Sequence, residues 1–219
     1  LQEKFSFDYF RWQQDNKIRI DEPFREDGLN RMLYKCPHCK TEGRMRGQGT
    51  RIRCERCGKE YELTEYGYLQ PAAGEKDGVP AADEEQIEEG YDFTHIPDWY
   101  RWERECVRQE LLTGTYRLEA PVAIYVMVNM DRIYRVGEGT LTHSSDGFHL
   151  TGCDGKLDYV QEPLASYSLY SDFYWYEIGD VICIGDARIQ YYCFPQNCGD
   201  SVAKTRLAPE ELYKLAKAN

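Results

Sequence analysis

Two cysteine pairs, Cys36-Pro37-His38-Cys39 and Cys54-Glu55-Arg56-Cys57, stand 14 residues apart. Each CxxC suits a tight turn that points two sulfurs at one cation. Four thiolates around Zn²⁺ make a closed tetrahedral site with no open position for chemistry. A thiol-oxidoreductase reading needs one CxxC at a helix N-terminus after a strand. Here the second pair follows at ribbon spacing, and neither pair leads into a long helix. The expectation is a small module stapled by structural zinc on Cys36, Cys39, Cys54 and Cys57. His38, between two ligands, reads as an outward, solvated residue.

The flanking sequence supports a zinc ribbon over residues 34–70. RIRC and YEL alternate like strands, and GRMRGQGTRIR reads as a hairpin turning at Gly47-Gln48-Gly49. Gly58 follows the second pair, where a knuckle needs positive φ. Ahead of the ribbon, residues 1–33 form a lead-in. Phe5, Tyr9, Phe10 and Trp12 are roughly helical in spacing over Glu3–Gln14, and Lys17 to Ile20 alternates like a short strand.

After the ribbon the composition changes. Residues 71–95 read as an acidic linker; Glu75 to Asp92 carries eight acids and one base, too little apolar area to form a core. Residues 96–219 read as a helix plus barrel. The helix spans 97–112, starts at Pro97-Asp98, carries Trp99, Trp102, Cys106 and Leu112 on one side, and ends at Gly114; its Glu103 to Val107 stretch reads as the polar exterior of an amphipathic helix. Then the period becomes two. Candidate strands are Val122–Asn129, Arg132–Val136, Gly139–His143, Gly147–Thr151, Lys156–Tyr159, Ser166–Tyr170, Trp175–Ile178, Asp180–Ile184 and Gln190–Phe194, punctuated by Asp-Gly and Gly-Asp turns. Short strands at this spacing predict an antiparallel sandwich or small barrel. Pro209 to Lys217 reads as a closing amphipathic helix. The fold class is therefore mainly β with α. Seven Tyr, two Phe and one Trp between Tyr159 and Phe194 suit both a core and an exposed rim.

Charge and cysteine usage narrow the function classes. Residues 35–59 carry eight bases against Glu42 and Glu55, a net +6, so in a chain of net charge −11 the remainder carries −17. Arg44, Arg46, Arg51 and Arg53 alternate on the hairpin and fall on one face of a strand pair, a candidate anion contact for lipid or nucleic-acid phosphate. The acidic remainder disfavours a nucleic-acid module, which stays the alternative reading. Nine cysteines is an odd number; Cys106, Cys153, Cys183, Cys193 and Cys198 are scattered, and reduced thiols in a cytoplasmic compartment are expected. No apolar run approaches the ~20 residues of a membrane-spanning helix. The chain begins at Leu1 rather than Met, which reads as a processed chain or an excised fragment of something longer, the fragment being the preferred expectation.

Residues 116–217 resemble a pleckstrin-homology or GRAM-type barrel, in which strands precede one C-terminal helix; the hairpin Gly137 to Leu150 carries that resemblance. The whole arrangement resembles the C-terminal extension of bacterial lysophospholipid (1-acylglycerol-3-phosphate) acyltransferases, through RMLYKCPHC, PDWYRWERECVRQEL, LTGCDGKLDY, ASYSLY and YWYEIGDVICIGD. This implies an upstream acyltransferase domain in the same chain, a role in phospholipid synthesis, and peripheral association with the inner membrane. That family's catalytic signature is His-x4-Asp. One copy occurs here, His149 to Asp154, but on a predicted strand and turn, and the family's arginine block is missing. No catalytic residue is expected in this chain. His95, His143 and His149 read as surface or hydrogen-bonded residues.

Overall fold

The computed structural model describes residues 7–72, 92–128, 131–175, 177–196 and 201–218. Most of the acidic linker, Phe5 and Cys198 lie outside the described residues. The fold is mainly antiparallel β with flanking helices, and it divides into two compact units, Leu1–Glu103 and Arg104–Asn219. The division falls within helix α2 (Ile96–Leu112), not ahead of residue 96.

The first unit holds helix α1 (Tyr9–Asp15) and a four-stranded antiparallel sheet of β1 (Met45–Gln48), β2 (Arg51–Cys54), β3 (Glu60–Leu63) and β4 (Leu69–Pro71), in chain order. Asp8 caps α1 by accepting from the Arg11 N–H. The lead-in is tied to the sheet: the Gln13 amide donates to Glu65 O, and the Gln14 amide to Gly67 O. Lys17 to Ile20 does not form the expected strand. It runs as coil, with the Ile20 N–H donating to Glu65 O.

The hairpin turn is shorter than expected. Gln48 pairs with Arg51, so Gly49 and Thr50 make the turn, with Gly49 at φ 66°. Gly47 sits inside β1 for another reason. A Cβ there would lie 2.3 Å from Glu26 O, so its absence lets the preceding loop pack on the strand. The inward residues Met45, Ile52, Tyr61, Leu63 and Leu69 join Leu33, Ile96 and Trp99 in one core. Trp99 is fully buried, edge-on to Tyr61 at 5.1 Å and stacked near Phe93 at 6.1 Å.

The second unit is a seven-stranded antiparallel sheet: β5 (Leu118–Val128), β6 (Arg132–Ser144), β7 (Gly147–Gly152), β8 (Leu157–Gln161), β9 (Tyr170–Trp175), β10 (Gly179–Gly185) and β11 (Gln190–Pro195). Its order is β8-β7-β6-β5-β11-β10-β9, two meanders joined by the β5–β11 pair. The sheet curls on itself. Tyr159 of β8 packs 5.2 Å from Tyr191 of β11, and Gln161 of β8 accepts from the Gly185 N–H of β10 at 2.9 Å. Strands then give way to one C-terminal helix, α3 (Ser201–Ala218), the element order expected of the barrel.

Period-two alternation builds two clusters. Ile182, Ile184, Cys193, Ala120, Val122 and Ile124 face inward with Leu141 and Leu150. Val181, Cys183, Tyr192 and Phe194 form a smaller cluster on the other face, where Trp175 stacks on Tyr192 at 4.7 Å. The aromatic run thus supplies core on both faces, while Tyr167, Tyr170 and Tyr174 stay exposed.

Three expectations here need correction. The strands 132–136 and 139–143 are one strand, β6. Gly137 and Gly139 do not break it; they allow close crossing, since a Cβ on Gly139 would lie 2.1 Å from Thr151 O and one on Gly137 2.8 Å from Cys153 Sγ. The strands 166–170 and 175–178 are replaced by β9, whose next-to-last residue Tyr174 takes φ 56° and donates its N–H to Asp180. Finally, α3 begins at Ser201, not Pro209. Proline removes one intrahelical donor, but Val202, Ala203, Thr205, Leu207 and Ala208 ahead of it are buried, and that packing outweighs the lost bond.

Candidate metal centre

Two matching knuckles present the four cysteines. In the first, the Lys40 N–H donates to Cys36 O and the Cys36 N–H to Thr41 O; in the second, the Gly58 N–H donates to Cys54 O and the Cys54 N–H to Lys59 O, all at 2.9 Å. Each loop turns through a left-handed residue just after its second cysteine, Lys40 at φ 59° and Gly58 at φ 74°. Cys36 and Cys54 are buried, and Cys39 and Cys57 half-buried.

The sulfurs converge. Cys36 Sγ lies 3.7 Å from Cys57 Sγ, and Cys39 Sγ 3.7 Å from Cys54 Sγ; all four lie within 4.8 Å of one another. A disulfide needs about 2.05 Å, so these are free thiols. A tetrahedron with metal–sulfur bonds of about 2.3 Å has edges of about 3.8 Å, which fits the two measured edges. The four sulfurs could therefore hold one metal ion. Their ionisation is uneven: hydrogen bonds from the Cys36 and Cys57 thiols pull the Cys54 thiol down, while hydrogen bonding with Cys54 and Cys57, together with burial, pushes the Cys36 thiol up.

Around the centre, α2 braces the entry to the first knuckle. Trp99 Nε1 donates to Lys35 O at 3.0 Å, and Glu103 Oε1 accepts from the Lys35 N–H at 2.8 Å. Both polar groups of the residue before Cys36 are thus fixed by one helix face. Glu103 and Val107 are completely buried while Glu105 is exposed, so only the middle of this stretch is the polar exterior its sequence suggested. Burial holds the Glu103 carboxyl well above its usual range. His38 differs as well: its Nδ1 is buried without a hydrogen-bond partner among the described residues. Beside Gly47 and Gly49 of the hairpin, Glu26 is fully buried with neither carboxylate oxygen hydrogen-bonded among the described residues, and burial pushes its carboxyl up to about 8.

Three of the four arginines share one sheet face: Arg46 pairs across from Arg53, with Arg51 two residues from Arg53, while Arg44 precedes β1. Arg46 is ion-paired with Glu55 at 3.2 Å and Arg51 with Glu60 at 2.8 Å. Glu60 and Glu62 stand opposite Arg53 and Arg51 on β3, so the basic strands abut an acidic one. Sequence reasoning passed over Arg56, whose Nη1 donates to Thr41 Oγ1 at 2.8 Å, and Thr41, whose Oγ1 lies 3.4 Å from Cys39 Sγ. Arg56 sits inside a CxxC, where it reads as a spacer.

The His-x4-Asp copy does not assemble. His149 Nε2 lies 2.7 Å from Asp158, while Asp154 occupies a turn at φ 56°. The other two histidines are hydrogen-bonded, His95 to Asp8 at 2.8 Å and His143 to the Tyr116 hydroxyl at 2.9 Å. Cys106, Cys153, Cys183 and Cys193 are free thiols. Among the described residues, no helix is long and apolar enough to cross a membrane. No protein-family model matches this chain, and no curated protein matches it.

Proposed function

We propose that this chain is the non-catalytic accessory region of a lysophospholipid acyltransferase, stapled by one structural zinc ion, and that it positions the enzyme at a membrane or partner surface on the cytoplasmic side. The observation that carries the non-catalytic reading is the sulfur cage. Four thiolates directed at one point leave no coordination site for water or substrate, and a closed tetrahedral sulfur set suits zinc. The separation of His149 from Asp154 supports the same reading. The acyltransferase assignment rests on sequence resemblance and on the order of ribbon, helix, strands and closing helix. The nucleic-acid alternative is weaker because Glu60 and Glu62 share the arginine face and would repel a long polyanion.

Metal analysis of the reduced protein tests the staple: one zinc per chain is expected, and a content near zero overturns it. Reading the gene upstream of the Leu1 codon tests the assignment. An acyltransferase domain with a helical His-x4-Asp is expected; a different domain there removes it. Acyl transfer by the isolated chain that disappears in His149→Ala would overturn the non-catalytic reading.

A further inference from the structure

Arg44 and Arg56 open onto a common surface pocket of about 400 Å³, whose other walls are Thr41 and Glu55. Strand β1 is an edge of its sheet, and β2 separates it from the acidic strand β3. Arg56 is aimed by its bond to Thr41 Oγ1 at 2.8 Å. The Arg44 backbone is fixed because its carbonyl accepts from the Glu55 N–H at 2.8 Å, and its guanidinium has no partner among the described residues. Glu55 is the acid in the wall, and Arg46 pairs with it at 3.2 Å. The pocket is left with two guanidinium charges and no unpaired carboxylate.

We propose that this pocket is a phosphomonoester-binding site, with Arg44 and Arg56 as ligand-binding residues and Thr41 as the positioning residue for Arg56. Two planar guanidinium forks match the terminal oxygens of a phosphate dianion, each able to donate in pairs. A phosphodiester offers one charge and two free oxygens, so it satisfies one fork and leaves the other unmatched. A continuous polyanion would also have to cross Glu60 and Glu62; a terminal phosphate needs only the knuckle end of the sheet. The inference does not depend on the acyltransferase reading. The phosphate could be carried by a lipid headgroup or a soluble metabolite, and the pocket is open enough for either.

The test is an NMR titration of the zinc-loaded full chain with inorganic phosphate, glycerol 3-phosphate and dimethyl phosphate at about 0.15 M salt, where diffuse surface attraction is screened. The side-chain Nε–H signals of Arg44 and Arg56 should shift and saturate with the two monoesters and barely respond to the diester. Arg44→Gln and Arg56→Gln should each weaken binding about tenfold. Arg51→Gln, which removes a guanidinium already paired with Glu60, should change it less than about twofold. An equal response to the diester, or an equal loss in Arg51→Gln, overturns the site in favour of general electrostatics. Reduced zinc content in the two pocket variants with unchanged phosphate response also overturns it, because the arginines would then only balance the tetrathiolate charge. A parallel arm identifies the carrier. Retention on phosphatidylcholine vesicles containing phosphatidate, lost in Arg44→Gln, supports the site as a lipid-headgroup receptor. A solution response without vesicle retention supports it as a receptor for soluble phosphomonoesters.

Discussion

Glu26 is the sharpest energetic anomaly in the first unit, and replacing it should stabilise the protein at alkaline pH. Its carboxylate is fully buried, and neither oxygen has a hydrogen bond among the described residues. Burial dominates; Arg25 opposes it, while Glu62 and Glu60 add to it, and the carboxyl is pushed from 4.5 up to about 8. The folded protein therefore keeps a proton that the unfolded chain releases above pH 4.5. Stability contributed by the neutral acid is fully present below pH 4.5 and is lost as pH rises through about 8. Each unit of displacement is worth about 1.36 kcal/mol, so the full loss is about 5 kcal/mol above pH 8.

Glu26→Gln keeps the shape and removes the charge. Its amide brings a donor without a partner, but so does the protonated acid, so the two proteins should match within about 1 kcal/mol at pH 5. At pH 8.5 the variant should be more stable by about 4 kcal/mol. Urea unfolding followed by tryptophan fluorescence from pH 5 to 9 measures this, since Trp99 lies in the same unit's core. Metal linkage runs the opposite way, because thiolates bind metal better as pH rises. At saturating zinc that term is common to both proteins and cancels in the difference. A wild-type-minus-variant difference that stays flat across this range would refute the reasoning: Glu26 would then have found a partner or water.

Other perturbations separate the two units and their buried polar groups. Chelation of the metal should unfold the first unit while leaving the second unit's transition in place, since the latter has its own core; circular dichroism on each transition reads this. Glu103→Leu removes the acceptor for the Lys35 N–H and should cost about 2 kcal/mol and lower zinc affinity, whereas Glu103→Gln, which keeps an acceptor, should hold zinc as wild type does in competition titrations. Gly139→Ala drives a Cβ to 2.1 Å from Thr151 O and should cost about 3 kcal/mol in the second unit's denaturation midpoint. Burial holds the His143 imidazole down to about 3, so it resists protonation in the fold but not in the unfolded chain. Its contribution is present above pH 6.5 and lost as pH falls toward 3; an NMR titration should show no His143 midpoint above pH 5.

What the sequence made legible was local. The convergence of the four thiols could be read because a CxxC knuckle is closed by its own backbone, Lys40 N–H to Cys36 O and Gly58 N–H to Cys54 O, and Gly58 advertises the left-handed turn. Its twin, Lys40, takes the same conformation at φ 59° without a glycine to announce it. The strands of the second unit could be read from alternation, and so could the closing helix, although Pro209 masked its first half. The misread features share one cause: their partners are distant in sequence. Periodicity assigns Glu103 to solvent because it sees only the helix, but Lys35, 68 residues away, offers its N–H. Gly47 looks like a turn, and Gly139 like the start of a new strand, until Glu26 O and Thr151 O are placed against them. Arg56 looks like a spacer until Thr41 orients it. The structural centre was thus encoded within a single loop and its repeat, while the pocket beside it is assembled by tertiary contact. A chain can therefore announce a cluster of thiols that could hold a metal ion and still conceal the surface pocket assembled beside it.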